Sequence, residues 1–121
     1  MHETAIVSGL MRILDTQARA HDVKRIARVT LKVGRLRAVE PAQLRLCFEL
    51  FAEDTVAAGA QLVIDPVPVR ARCTHCQAEF EVPRYRFDCP RCGAGEVTVI
   101  SGQELYIESF EPAEESRDDE R

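Results

Sequence analysis

Two different periods of hydrophobic residues occupy the first forty positions. From Thr4 to about Ala20, apolar residues recur at steps of three and four, with charged residues on the opposite face. This spacing predicts an amphipathic helix. From Arg25 to Leu36, apolar and polar residues alternate instead, which predicts a half-buried strand. The residues predicted to share its buried side are Ala27, Val29, Leu31 and Val33.

A second helix and further strands are predicted downstream. Pro41 suits the first turn of a helix, and an apolar stripe then continues to Ala58, where Gly59 is expected to end it. The segment "AQLVIDPVPVRAR" alternates around two prolines and predicts an edge strand or an extended connection. The segment "EVTVISGQELYIESF" predicts two strands about a turn at Ser101 and Gly102. We therefore expect an α+β fold, with two helices packed on a small, about three-stranded β-sheet.

Composition limits the domain organisation. A chain of 121 residues with 45% hydrophobic content can bury one modest core and one small module. We predict an α+β domain from residues 1–70 plus 98–110, an inserted zinc-ribbon module at 71–97, and an acidic disordered tail at 111–121. The tail contains six acidic and two basic residues, so it accounts for the whole net charge of −4. The charge-neutral body disfavours nucleic-acid binding, which needs clustered cations.

The sequence also indicates a cellular location. No apolar run approaches the roughly 20 residues that span a bilayer, because Ser8, Gly9 and Arg12 interrupt the longest one. The same stretch lacks the features of a secretory signal. We expect a cytoplasmic protein with no membrane span. In that reducing compartment, the five cysteines indicate a metal site rather than disulfides.

Four cysteines form two C-x-x-C pairs, "CTHC" and "CPRC", separated by twelve residues. Two such turns can direct four thiolates at one ion in the tetrahedral shell that Zn²⁺ accepts, although iron binds similar ligands. A closed shell predicts a structural site and no enzymatic activity. His75, inside the first pair, could exchange onto the metal, but we favour a solvent-facing residue. Cys47 lies on the apolar stripe of the second helix, and we expect it to be a buried small hydrophobe. The predicted ligands are Cys73, Cys76, Cys89 and Cys92.

The amino terminus, "MHE", offers a second kind of metal site. The amine of Met1, the backbone nitrogen of His2 and its imidazole Nδ1 can close two adjacent chelate rings in nearly one plane. Ni(II) and Cu(II) favour such nitrogen donors, and Glu3 or another carboxylate could complete the set. A frayed terminus is the competing interpretation.

Together, "MHE", "VEPAQLRLCFELFAEDTVAAGAQLVI" and the two cysteine pairs resemble the HypA/HybF family of nickel metallochaperones for hydrogenase maturation. The resemblance implies nickel, bound transiently by His2 with help from Met1 and Glu3, while Glu40 matches an acidic position that can approach the ion. It also implies structural zinc at the four cysteines. The implied partners are a HypB-type GTPase and the precursor of the [NiFe]-hydrogenase large subunit, with urease maturation proteins as further candidates. A monomer or a homodimer is expected.

Two rival functions remain open at this level. The first is a zinc-ribbon adaptor or nucleic-acid-binding module without a nickel role, since five arginines surround the ribbon. The second is a thiol oxidoreductase that uses C-x-x-C, which two pairs at ribbon spacing disfavour. The arginines concerned are Arg70, Arg72, Arg84, Arg86 and Arg91.

Overall fold

The computed structural model describes residues 2–114. Two helices and six strands follow one another along this part of the chain, with a short 3₁₀ turn after the first strand. They are α1 (Glu3–Ala20), β1 (Ile26–Gly34), the 3₁₀ turn (Arg35–Arg37), α2 (Pro41–Ala52), β2 (Gln61–Val67), β3 (Arg70–Cys73), β4 (Glu79–Glu81), β5 (Val97–Ser101) and β6 (Leu105–Pro112).

The strands form two three-stranded sheets, in the orders β2-β1-β6 and β4-β3-β5. The predicted α+β class and the predicted small sheet are confirmed. The second sheet was not predicted, although β5 lies in the segment predicted as two strands about a turn. β3 and β4, with four and three residues, are too short to show a period in the sequence.

Side-chain contacts show how the strands of the first sheet run. Arg28 contacts Gln61, and Lys32, four residues later, contacts Asp65, so β1 and β2 are parallel. Arg28 also pairs with Glu111 in β6, on the other edge of β1. β6 is antiparallel to β1, because the Gly34 N–H bonds to Glu104 while the Ala113 N–H bonds to Arg25. The helix α2 therefore belongs to a β-α-β crossover between parallel strands.

The described residues fall into two compact units. The first comprises 2–31, 39–64 and 107–114, and the second comprises 32–38 and 65–106. The domain boundaries expected from the sequence stay a prediction.

The core of the first unit is supplied by the apolar faces of the helices, which pack against each other. The predicted stripe of α1 is confirmed in outline, although Ile13 is 50% exposed. In α2, Phe51 is 42% exposed and Cys47 is only half-buried, so the expected burial of Cys47 is only partly met. The buried helical residues are Val7, Leu10, Leu14, Ala18, Leu44, Phe48 and Ala52.

Two predictions from the sequence are wrong: the burial of Ala27 and the end of α2. Ala27 is exposed, and the preceding Ile26 is buried in its place. The helix α2 ends at Ala52 rather than Ala58, because Asp54 adopts a left-handed backbone with φ of 63°. The hydroxyl of Thr55 then donates to the carbonyl oxygen of Ala52 at 2.6 Å, which satisfies an acceptor at the helix end.

Gly34 permits a close backbone approach within the second unit. A Cβ atom at this position would lie 2.0 Å from the carbonyl oxygen of Gly102. The same oxygen accepts a hydrogen bond from the Leu36 N–H at 2.8 Å. Only glycine fits at position 34 without a shift of the backbone.

The last strand extends to Pro112 and so includes the first two residues of the expected acidic tail. Arg28 holds Glu111 at 3.1 Å, and the Ala113 N–H donates to the carbonyl oxygen of Arg25 at 2.8 Å. The rest of the predicted tail, residues 115–121, lies outside the described residues. No helix within 2–114 is long and apolar enough to cross a membrane.

Candidate metal centres

The first cysteine pair lies in a tight turn at the end of β3. Cys73 is the last residue of that strand, and its backbone N–H and carbonyl bond to Ala78 and Gln77 at 2.9 and 3.0 Å. These bonds close the loop so that Cys73 and Cys76 face the same space. The His75 N–H lies 3.4 Å from the Cys73 sulfur and donates to it.

The second pair repeats this arrangement. The Cys89 N–H donates to Ala94 and its carbonyl accepts from the Gly93 N–H, both at 2.8 Å. Gly93 has a φ of 81°, a conformation that glycine adopts at little cost. The N–H groups of Arg91 and Cys92 both approach the Cys89 sulfur at 3.4 Å.

The four thiols converge on one point. The Sγ atoms of Cys73 and Cys92 are 3.4 Å apart, those of Cys76 and Cys89 are 3.6 Å apart, and all four lie within 4.8 Å of one another. A zinc tetrahedron with bonds of about 2.3 Å has sulfur–sulfur edges of about 3.8 Å. The sulfur separations fit such an ion after small adjustments, whereas disulfide bonds need about 2.0 Å.

The thiol pKa values follow from this crowding. Burial raises the pKa of Cys89, but the N–H donors of Cys92 and Arg91 outweigh it and bring the pKa down to about 6. The Ala94 N–H lowers the pKa of Cys92, yet the neighbouring thiols and burial raise it to about 12. One thiolate is therefore easily formed, while a full set repels itself. A divalent cation between the four sulfurs would supply the missing positive charge.

The thiols also contribute to the core of the second unit. Cys73 is fully buried and Cys89 is 2% exposed, in a cluster with aliphatic and aromatic side chains. The cluster is small, so a metal bound by the four thiols would add substantially to the stability of this segment. Its other buried members are Val69, Ala71, Phe80 and Val82.

His75 contacts a side chain that the sequence did not indicate, that of Glu96. Its Nε2 lies 3.1 Å from an oxygen of Glu96, and both side chains are largely exposed. The carbonyl oxygen of Glu96 also accepts from the N–H and the hydroxyl of Thr74. Glu96 lies 21 residues from His75, so no local motif could have revealed the pair.

The amino-terminal candidates lie at the start of α1. His2 is exposed and is the N-cap residue, and its carbonyl oxygen accepts the first helical hydrogen bond from Ile6 at 3.2 Å. Glu3 begins the helix and is half-buried. Met1 lies outside the described residues.

Glu3 connects this terminus to the second helix. Its Oε2 accepts a hydrogen bond from the backbone N–H of Glu40 at 3.1 Å, and this contact is the main reason that the pKa of Glu3 is lowered. Glu40 is the N-cap of α2, directly before Pro41. The structure thus brings two of the predicted nickel residues together through a backbone contact.

Among residues 2–114, the cysteines are the one group of three or more His, Cys, Asp or Glu side chains whose ligand atoms converge. The side chains of His2, Glu3 and Glu40 do not form a second such group. An ion at this terminus would therefore depend on backbone nitrogens and on movement of the carboxylates.

Comparison with protein families gives a match over most of the chain. Residues 1–112 match the family described as "Hydrogenase/urease nickel incorporation, metallochaperone, hypA". The hydrogenase maturation factor HypA of Desulfitobacterium hafniense is 39% identical over 114 residues, which cover 94% of this chain and 100% of the relative. HypA of Chlorobium luteolum is 40% identical over 110 residues, covering 91% and 94% of the two chains.

Solved structures agree with the sequence relatives. The solution structure of the Ni metallochaperone HypA from Helicobacter pylori has a TM-score of 0.69 and 27% identity, and the alignment covers 95% of this chain and 100% of that one. A second solution structure, of a HypA protein, has a TM-score of 0.72 at 27% identity, covering 93% and 97%.

Proposed function

Because the chain belongs to the HypA family of hydrogenase and urease nickel metallochaperones, we propose that it binds Ni(II) at its amino terminus and passes the ion on during hydrogenase maturation. The observation that supports this site is the contact between Glu3, directly after His2, and the backbone N–H of Glu40, which brings the starts of the two helices together.

The nitrogen donors are those of the first two residues. The Met1 amine, the His2 backbone nitrogen and the His2 Nδ1 provide three donors in the planar arrangement that suits Ni(II). His2 is exposed, so a partner protein can reach the ion and take it by ligand exchange.

The carboxylates have different parts in this proposal. Oε2 of Glu3 is engaged by the Glu40 N–H, which leaves Oε1 for the ion. The carboxylate of Glu40 is exposed and can swing towards the terminus. Their negative charge offsets the unfavourable position of a cation at the positive end of a helix.

The four cysteines Cys73, Cys76, Cys89 and Cys92 are proposed to hold a structural zinc ion. Their sulfurs already converge, and four thiolates leave no open coordination position for catalysis. The family consists of maturation factors that are not enzymes, in agreement with this closed site.

The proposed recipients follow from the family's part in hydrogenase and urease maturation. They are a HypB-type GTPase, the precursor of the [NiFe]-hydrogenase large subunit and urease maturation proteins, and the exchange would take place in the cytoplasm.

Calorimetric nickel titration tests the proposal. Three zinc-loaded proteins are compared: the untagged chain, His2→Ala, and a chain with extra residues before Met1. We expect one nickel per untagged chain, and loss of nickel with retention of zinc in both altered proteins. Full affinity in His2→Ala would place the site elsewhere, and full affinity in the extended chain would exclude the terminal amine. Absence of nickel binding in the untagged chain would favour the zinc-ribbon adaptor instead.

A further inference from the structure

The loop between β4 and the second cysteine pair contains a turn with an unusual backbone. The Arg86 N–H donates to the carbonyl oxygen of Pro83 at 3.0 Å, and the two residues between them, Arg84 and Tyr85, have φ of 51° and 62°. Two successive left-handed residues inside such a turn are the signature of type I′, which favours Asn and Gly. Arg-Tyr at these positions is strained.

Contacts with the described residues do not account for this strain. The Tyr85 side chain is 65% exposed. Within residues 2–114, its hydroxyl and the guanidinium groups of Arg84 and Arg86 make no hydrogen bond or ion pair. Strained backbone that displays unpaired polar side chains is typical of binding surfaces.

A cleft of about 360 Å³ adjoins the turn, and both ends of the turn line it. The apolar side chains of the cleft can contact a small hydrophobic group, and Arg86 lines the same cleft. The lining includes Phe80, Glu81, Pro83, Arg86, Asp88 and Pro90.

We propose that this tip surface, defined as the turn Pro83–Arg86 with its adjoining cleft, docks a segment of a partner protein that carries carboxylates beside a small apolar side chain. Guanidinium groups bind carboxylates with two parallel hydrogen bonds, and Tyr and Arg are the side chains that most often dominate binding energy at interfaces. The cleft then accepts the apolar side chain between the charged contacts.

The charges around the cleft favour a protein over a nucleic acid. Glu81 and Asp88 line the same cleft as Arg86, so the cleft carries both signs of charge and lacks the clustered cations that binding of a phosphate backbone requires. A single exposed tyrosine also provides little area for stacking of bases.

The decisive variant carries Arg84→Asn and Tyr85→Gly together. It gives the turn its favoured residues and removes the proposed docking side chains. We expect the Tm of the zinc-loaded chain to rise, and the binding of a partner to weaken about tenfold or more. A higher Tm with unchanged binding would mean that the turn has a local structural role, and it would overturn the proposal.

The probes are the purified HypB-type GTPase and the hydrogenase large-subunit precursor, so the choice of partners rests on the proposed function. Binding is measured by calorimetry with the full zinc-loaded chain, and a short single-stranded DNA is tested in parallel. Arg86→Glu should weaken binding of at least one protein, and Arg12→Glu, an exposed change on α1, should not. Binding of neither protein, or tip-dependent binding of DNA alone, would overturn the proposal.

Nickel titration of the same variants separates the two proposals, because tip changes should leave nickel affinity unaltered.

Discussion

The carboxylate of Glu3 accepts a hydrogen bond from the backbone N–H of Glu40, with 3.1 Å between Oε2 and the nitrogen. This contact joins the first residue of α1 to the N-cap of α2. The geometry at the amino terminus is therefore set partly by a residue 37 positions away.

Substitutions at Glu3 should separate positioning of the terminus from ligation of nickel. Glu3→Gln keeps an oxygen that accepts from the Glu40 N–H but loses the charge, so we expect a nearly unchanged Tm and weaker nickel binding. Glu3→Ala loses the hydrogen bond as well, and both Tm and nickel affinity should fall. Thermal unfolding and nickel calorimetry measure the two effects, with Thr4→Ala at a neighbouring exposed position as the control. Equal nickel affinity in all three variants would show that Glu3 has no part in the site.

Removal of zinc should unfold the second unit selectively. Cys73 and Cys89 are buried in its small core, so chelation removes the ion that would connect these two residues inside the core. We expect amide hydrogen exchange to accelerate in residues 65–106 after chelation, while the helices of the first unit keep their protection. Protection retained throughout 65–106 would mean that apolar packing alone holds the ribbon.

Zinc retention should depend on pH with a defined sign. Burial raises the pKa of Cys89, but backbone donors lower it to about 6, so this thiol is ionised at neutral pH. A group with a lowered folded pKa favours the native site above its unfolded pKa, and that advantage is lost as the pH falls through about 6. We expect zinc to stay bound at neutral pH and to be released in acid, where protons compete with the ion for the thiolates. Release already on the alkaline side of neutrality, followed with a chromogenic chelator, would contradict this assignment.

Two glycines should respond oppositely to alanine. Gly34→Ala forces a Cβ to within 2.0 Å of the Gly102 oxygen, and we expect a loss of about 3 kcal/mol in the free energy of unfolding. Gly9 lies inside α1, and a Cβ added there would meet nothing within 4 Å, so Gly9→Ala should stabilise the chain by about 1 kcal/mol. Urea denaturation of the zinc-loaded proteins measures both. A neutral Gly34→Ala would mean that the backbone there can move apart.

The elements with a sustained period were predictable from the sequence. The stripe of α1 and the alternation in β1 extend over enough residues to identify a helix and a strand, and Pro41 marks the start of α2. The cysteine spacing predicted which four sulfurs converge, because C-x-x-C turns form locally.

Features that depend on long-range contacts or on an unusual local backbone were not predictable. The end of α2 is decided by the left-handed Asp54 and by the Thr55 hydroxyl, which hydrophobic periodicity does not register. The bond from the Glu40 N–H to Glu3 and the pairing of His75 with Glu96 need the folded chain. The strained turn at Arg84 was not predictable either, because its residues disfavour the backbone that they adopt.

Because His2 is the N-cap residue, the proposed nickel site does not use the backbone groups that form the hydrogen bonds of α1. Hydrogen bonding in α1 begins with the His2 carbonyl oxygen, which accepts from Ile6, while the His2 amide nitrogen lies outside that ladder. A backbone nitrogen binds nickel after it loses its amide proton, and at His2 that loss would break no helical hydrogen bond. Nickel could then bind and dissociate repeatedly without any unwinding of helix α1.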